Sequence, residues 1–65
     1  MDYKLQFIGG TTNTDVFKRQ IFSKIRGLTQ FFEFDGKTLC CDIDEQDLKK
    51  LLYVVIKHNG EIKYL

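Results

Sequence analysis

The chain has one histidine (His58), one serine (Ser23) and two cysteines among its 65 residues, and its ten Lys and Arg residues are nearly cancelled by nine Asp and Glu. Each scarcity removes a class of chemistry. With no second histidine or spaced cysteine near His58, a metal site lacks ligands. Ser23 falls in the middle of one helical pattern and His58 near the far end of another, so no Ser, His and Asp constellation forms. Cys40 and Cys41 are adjacent, and in a strand neighbouring side chains point to opposite faces. They therefore cannot grip one ion together, and a disulfide between them is strained; one thiol in the core and one on the sheet surface is expected. A formal charge of +1 supplies no global field to draw in polyanions. No apolar run approaches the roughly 18 residues of a membrane span, and no charged start leads into an apolar stretch, so a cytoplasmic protein is expected. The sequence opens at Met1 directly into a strand-like pattern, as a complete small open reading frame would.

What is present is apolar and aromatic: 43% hydrophobic residues, 14% of the chain Phe or Tyr. That content over residues 1–65 predicts one domain with a single core. A chain of this size buries only about 60% of its unfolded surface, and such a core rarely contributes more than roughly 3–5 kcal/mol of net stability.

The order of elements follows from periodicity. "YKLQFIG" alternates Tyr3, Leu5 and Phe7 with Lys4, Gln6 and Ile8, which predicts a half-buried strand ended by Gly9 and Gly10. In "TDVFKRQIFSKIRGL", Phe17, Ile21, Ile25 and Leu28 fall on one helical stripe. Gly27 suits that helix's C-terminus and the basic residues of the last turn favour its dipole. "TQFFEFD" predicts a strand with Phe32 and Phe34 inward and Phe31 and Glu33 outward. "DG" then turns into "KTLCCDI", a strand with Leu39, Cys41 and Ile43 inward and Thr38, Cys40 and Asp42 outward. "DEQDLKKLLYVVIKHNG" opens on Asp44 with Asp47 three places on, resembling a reciprocal cap, and carries Leu48, Leu51, Leu52, Val55 and Ile56 as its apolar face. Asn59 and Gly60 end this helix, and "EIKYL" is a last strand with Ile62 and Tyr64 on one face.

The result is βαββαβ, the α+β ferredoxin-like arrangement of two helices on one face of a four-stranded antiparallel sheet. A spatial order of 4-1-3-2 puts the last strand and the "TQFFEF" strand at the edges. Alternating apolar residues, then Gly and a polar loop entering a helix, resemble the heavy-metal-associated domains of copper chaperones and metal-transport ATPases. That resemblance implies a loop reading Met-Thr-Cys-x-x-Cys. Here Gly10 and Thr11 stand in the Met and Thr places, and Thr12 and Asp15 where the two cysteines belong, so metal carriage is not expected. "FIGG" also resembles the first-strand signature of the RNA-recognition motif. That motif stacks bases on aromatic residues of its open face, where this chain places Lys4, Gln6, Ile8, Thr38, Cys40 and Asp42. Phe31 is the one exposed ring expected.

The opening loop reads as a turn and cap, not a ligand loop. Gly9 and Gly10 supply positive backbone angles, Asn13 or Thr14 caps the helix, and Asp15 complements its dipole while repelling any anion there. The acidic "CDIDEQD" is explained by the N-terminus of the second helix. No enzymatic activity, cofactor, metal or small-molecule substrate is therefore expected. The remaining class is recognition: a non-enzymatic accessory or inhibitor-type module that binds a protein, or itself as a homodimer. Its contact patch is drawn from Lys4, Gln6, Ile8, Phe31, Glu33, Cys40 and Asp42, or from an apolar edge strand. The alternative is nucleic-acid binding through Lys18, Arg19, Lys24 and Arg26 of the first helix. Size and composition suit a small protein of a bacterium, phage or mobile element.

Overall fold

Two residue rows on opposite sides of the same strands organise the molecule. In the computed structural model, which describes residues 1–65, β1 (Asp2–Ile8) pairs antiparallel with β3 (Thr38–Asp42) in a register that sets Leu5 beside Leu39 and Lys4 beside Cys40. β2 (Phe32–Phe34) extends these rows outside β3, with Phe34 next to Leu39 and Glu33 next to Cys40. On the other side of β1, β4 (Glu61–Tyr64) sets Ile62 beside Phe7 and Lys63 beside Gln6. The order β2-β3-β1-β4 is the ferredoxin-like one, with β2 and β4 at the edges as expected. Because the side-chain period of a strand is two, this register sends Leu5, Phe7, Phe34, Leu39 and Ile62 to one face and leaves Ile8 on the other.

That face is covered by α1 (Asp15–Leu28) and α2 (Glu45–Lys57). Phe17, Ile21 and Ile25 of α1 and Leu48, Leu51 and Val55 of α2 are buried against Leu5, Phe7, Leu39, Cys41 and Ile43 in one cluster of 11 residues. The Phe7 ring meets Phe17 and Phe34 edge-on, with centroids 5.4 and 6.0 Å away. Such geometry contributes about 0.5–1.5 kcal/mol per pair beyond the area buried.

Each helix starts on a side-chain cap. The Thr14 hydroxyl oxygen accepts from the Phe17 N–H at 3.2 Å, and Asp44 Oδ1 from the Asp47 N–H at 2.9 Å. The reciprocal half of the second cap does not form. An aspartate at the third helical position is one methylene shorter than the glutamate that usually reaches back, and the Asp47 carboxylate lies instead 3.5 Å from Lys50 Nζ. α2 ends with Asn59 at φ 57° and with N–H donation from Asn59 to Ile56 and from Gly60 to Val55, the paired bonds of a Schellman motif. In the hairpin between β2 and β3, Asp35 Oδ1 accepts from the N–H groups of Thr38 (2.7 Å) and Lys37 (2.9 Å). Those two bonds hold the Asp35 carboxyl below its ordinary range.

Four expectations need correction. β2 is three residues long, because the Thr29 hydroxyl oxygen accepts the Phe31 N–H at 3.0 Å and takes that donor out of the ladder. Gly27 lies inside α1, not at its end; the helix runs to Leu28 and stops at Thr29, whose backbone is extended. Ile56 is 68% exposed, since the apolar face of α2 turns through Leu51, Val54 and Val55 and leaves Ile56 on the solvent side. Tyr64 shares the inner face with Ile62 but lies at the end of an edge strand, 57% exposed and tilted against Tyr3.

Candidate interaction surfaces

The face of the sheet away from the helices is covered by no other element. The register sets Lys4, Cys40 and Glu33 in one cross-strand row. Leu65 joins this row by donating its N–H to the Lys4 carbonyl at 2.8 Å. In the next row Asp42 pairs with Asp2 and donates its N–H to the Phe31 carbonyl at 3.0 Å. A shallow depression of about 750 Å³ spans both rows and is lined by five of the seven candidate contact residues: Lys4, Phe31, Glu33, Cys40 and Asp42. The other two are not brought into it. Gln6 lies one row further along, beside Thr38 and Lys63, and Ile8, 40% exposed, stands beyond that, next to Glu61.

Phe31 is 74% exposed, and Asp42 is already engaged by the Met1 ammonium at 2.7 Å. The two thiols divide as expected. Cys40 is half-buried on the open face, whereas Cys41 is buried among core residues and both are free. Burial, reinforced by the nearby Cys40, Asp42 and Asp2, pushes the Cys41 thiol up to about 11.

The four basic side chains of α1 do not form one patch. Lys18 and Arg19 lie near Phe34, Asp35 and Gly36 of the β2–β3 hairpin, while Lys24 faces α2. Arg26 places its guanidinium 5.6 Å from the centre of the Phe22 ring, a cation–π contact along its own helix.

The loop between β1 and α1 is a packed joint. Gly10 has φ 54°, and a Cβ there would lie 2.3 Å from the carbonyl oxygens of His58 and Asn59. This backbone-to-backbone approach holds the loop on the end of α2. The Thr11 N–H donates to the His58 carbonyl at 2.9 Å, and the Thr11 hydroxyl lies 3.0 Å from His58 Nδ1. His58 Nε2 is 2.7 Å from Gln20 Oε1, and its ring meets Phe17 edge-on at 5.2 Å. His58 thus ties the loop, α1 and α2 together, a role for which its isolation in the sequence gave no sign. Thr12, in the place of a thiolate in the heavy-metal-associated pattern, is 1% exposed and donates its hydroxyl to the Gly9 carbonyl at 2.7 Å. It is directed into the fold, with its methyl group filling the space where Gly60 has no side chain. No three His, Cys, Asp or Glu side chains come together as metal ligands, and no helix is long and apolar enough to cross a membrane.

Sequence reading missed two features of the surface. Phe31 is not the only exposed ring: Phe22 (44%) and Tyr53 (70%) are exposed on the helices, as is Tyr64 on β4. More consequentially, the near-zero net charge conceals a partition. The two helices carry seven of the ten basic residues but only three of the nine acidic ones, so the sheet and loops are acidic and the helical layer basic. Comparison with models of known protein families, with curated proteins and with solved structures finds no match, so the functional reading rests on this geometry.

Proposed function

We propose that the protein is a small non-enzymatic binding module, accessory or inhibitor-like, that docks a partner protein on the open face of its sheet. The observation that carries this reading is the convergence of Phe31, Leu65, Lys4, Glu33, Cys40 and Asp42 around one depression on a face that no helix covers. An exposed aromatic anchor with charged groups of both signs at its margin is the composition of a protein-binding patch. The free thiol of Cys40 on this surface fits a reducing, cytoplasmic setting. Metal carriage has no support from Thr12 and Asp15, and a nucleic-acid surface made by α1 alone has none from four side chains that diverge.

Affinity capture from a native extract with wild-type and Phe31→Ser proteins tests the proposal, alongside sedimentation velocity at micromolar concentration. A partner retained by the wild type and lost with Phe31→Ser, at unchanged stability, is the expected result. A dimer dissolved by Phe31→Ser would make the partner a second copy. A monomer that captures the same proteins with or without Phe31 would remove the sheet face from consideration.

A further inference from the structure

The seam between α1 and α2 carries a second surface, opposite in character to the sheet face. Lys24 of α1 and Lys50 and Lys57 of α2 line a groove of about 570 Å³ with Gln20, Ser23 and Tyr53, and no carboxylate lines it. Helical spacing builds the α2 wall, since Lys50 precedes Tyr53 by three residues and Lys57 follows it by four. Lys24 stands across the seam. Lys24 and Lys57 have no ion-pair partner, and Lys50 has only Asp47 at 3.5 Å. The Tyr53 ring, 70% exposed, therefore shares the groove with two ammonium groups that the fold leaves without a partner, Lys24 and Lys57, and with Lys50, which is paired only to Asp47.

Gly27 adds an independent observation. It lines the same groove from within α1, where glycine weakens a helix relative to alanine. Nothing in the fold requires it: its backbone is not left-handed, and an added Cβ would meet no atom within 4 Å. Its effect is to leave the groove open.

We propose that this groove binds single-stranded nucleic acid, the lysines meeting backbone phosphates and the Tyr53 ring stacking on a base. The combination of cations and an accessible ring matches both halves of an unpaired nucleotide. An acidic peptide uses only the cations, and a duplex keeps its bases away from the ring. The basic helical layer, set against an acidic sheet, steers a polyanion to this side. The inference is separate from the sheet-face reading, because the two surfaces lie on opposite sides of the molecule.

Fluorescence anisotropy with a labelled oligo-dT and oligo-U of about 16 nucleotides, within the span of small single-strand sites, tests it over a range of salt concentrations. Three phosphate contacts predict a slope of log affinity against log salt of about −2, at about 0.7 per phosphate for single strands. Lys24→Ala with Lys57→Ala brings that slope to about −0.7. Tyr53→Ala weakens binding roughly tenfold with the slope unchanged, and Tyr53→Phe restores it. Gly27→Leu, which keeps every charge, closes the groove and also weakens binding, whereas Arg19→Ala and Lys63→Ala leave it as in the wild type. All these side chains are exposed and Gly27 has room, so circular dichroism should show an intact fold throughout. The proposal is overturned by absence of binding at low salt, by equal affinity for polyglutamate, by tighter binding of a duplex, or by Arg19→Ala and Lys63→Ala acting as strongly as the groove variants.

Discussion

Leu5 and Lys4 are neighbours on β1, as are Leu39 and Cys40 on β3, yet the two members of each pair belong to different problems. Leu5 and Leu39 are fully buried beneath the helices, while Lys4 and Cys40 lie on the face no helix covers. The inner row is dictated by the fold, since the cluster has few members and each of them meets several others. The outer row satisfies only strand propensity and solubility, which leaves its residues free to serve a partner. The molecule thus separates positions that stability has fixed from positions available for recognition, often one residue apart.

The largest expected effect sharpens that separation. Phe7→Ala removes a ring packed on Phe17 and Phe34 and should cost about 3–5 kcal/mol, as large aromatic truncations in cores do. That is the whole net stability of a domain this small, so the variant should be largely unfolded in urea-free buffer by circular dichroism. Phe31→Ser, at the exposed ring beside the start of β2, should stay within about 0.5 kcal/mol of the wild type in urea titration, as exposed substitutions do. Comparable losses at both would mean that Phe31 serves the fold, and the open face would lose its claim to be a free surface.

Much of this division was legible in the sequence, and what was not has physical reasons. The alternation in "YKLQFI" and the stripe Phe17, Ile21, Ile25 record burial directly, because each is a periodic demand of one element on its own face. Asp35 and Asn59 were visible because turn chemistry is local. The start of β2 was not, since a single hydroxyl, Thr29, competes with the ladder for a backbone donor. The role of His58 depends on Thr11 and Gln20, which lie 47 and 38 residues away along the chain. The basic groove is likewise assembled from two helices. A charge total of +1 is blind to how those charges are distributed between layers.

Gly9 and Gly10 offer a second comparison, with smaller effects. Both have positive φ, 78° and 54°, so alanine at either is strained by about 1–2 kcal/mol. Only at Gly10 is there backbone in the way, at 2.3 Å; the space beside Gly9 is open. Gly10→Ala should therefore exceed Gly9→Ala in thermal denaturation and should also release the Thr11 to His58 contacts, visible as a shift of the His58 ring resonances in NMR. Equal destabilisation with unmoved His58 resonances would reduce the joint to an ordinary turn.

The smallest effect separates the two thiols. Cys40, on the open face, should react with a thiol reagent in the native protein, and Cys41 only after denaturant is added. The pH dependence follows from the direction of the Cys41 shift. Its folded value, about 11, is raised above the ordinary 9.0 because burial penalises the thiolate. An unfolded chain therefore loses this proton first as pH rises, and the stability contributed by the neutral buried thiol is fully present below pH 9.0 and declines toward about 11. Lysines and tyrosines titrate over the same interval, so the comparison must be with Cys41→Ala. That variant should be less stable at neutral pH because a buried side chain has been shortened, and its stability should fall less steeply than that of the wild type between pH 9.0 and about 11. Parallel profiles for the two proteins would mean that Cys41 reaches water in the folded state, and the inner face would then be less closed than its register implies.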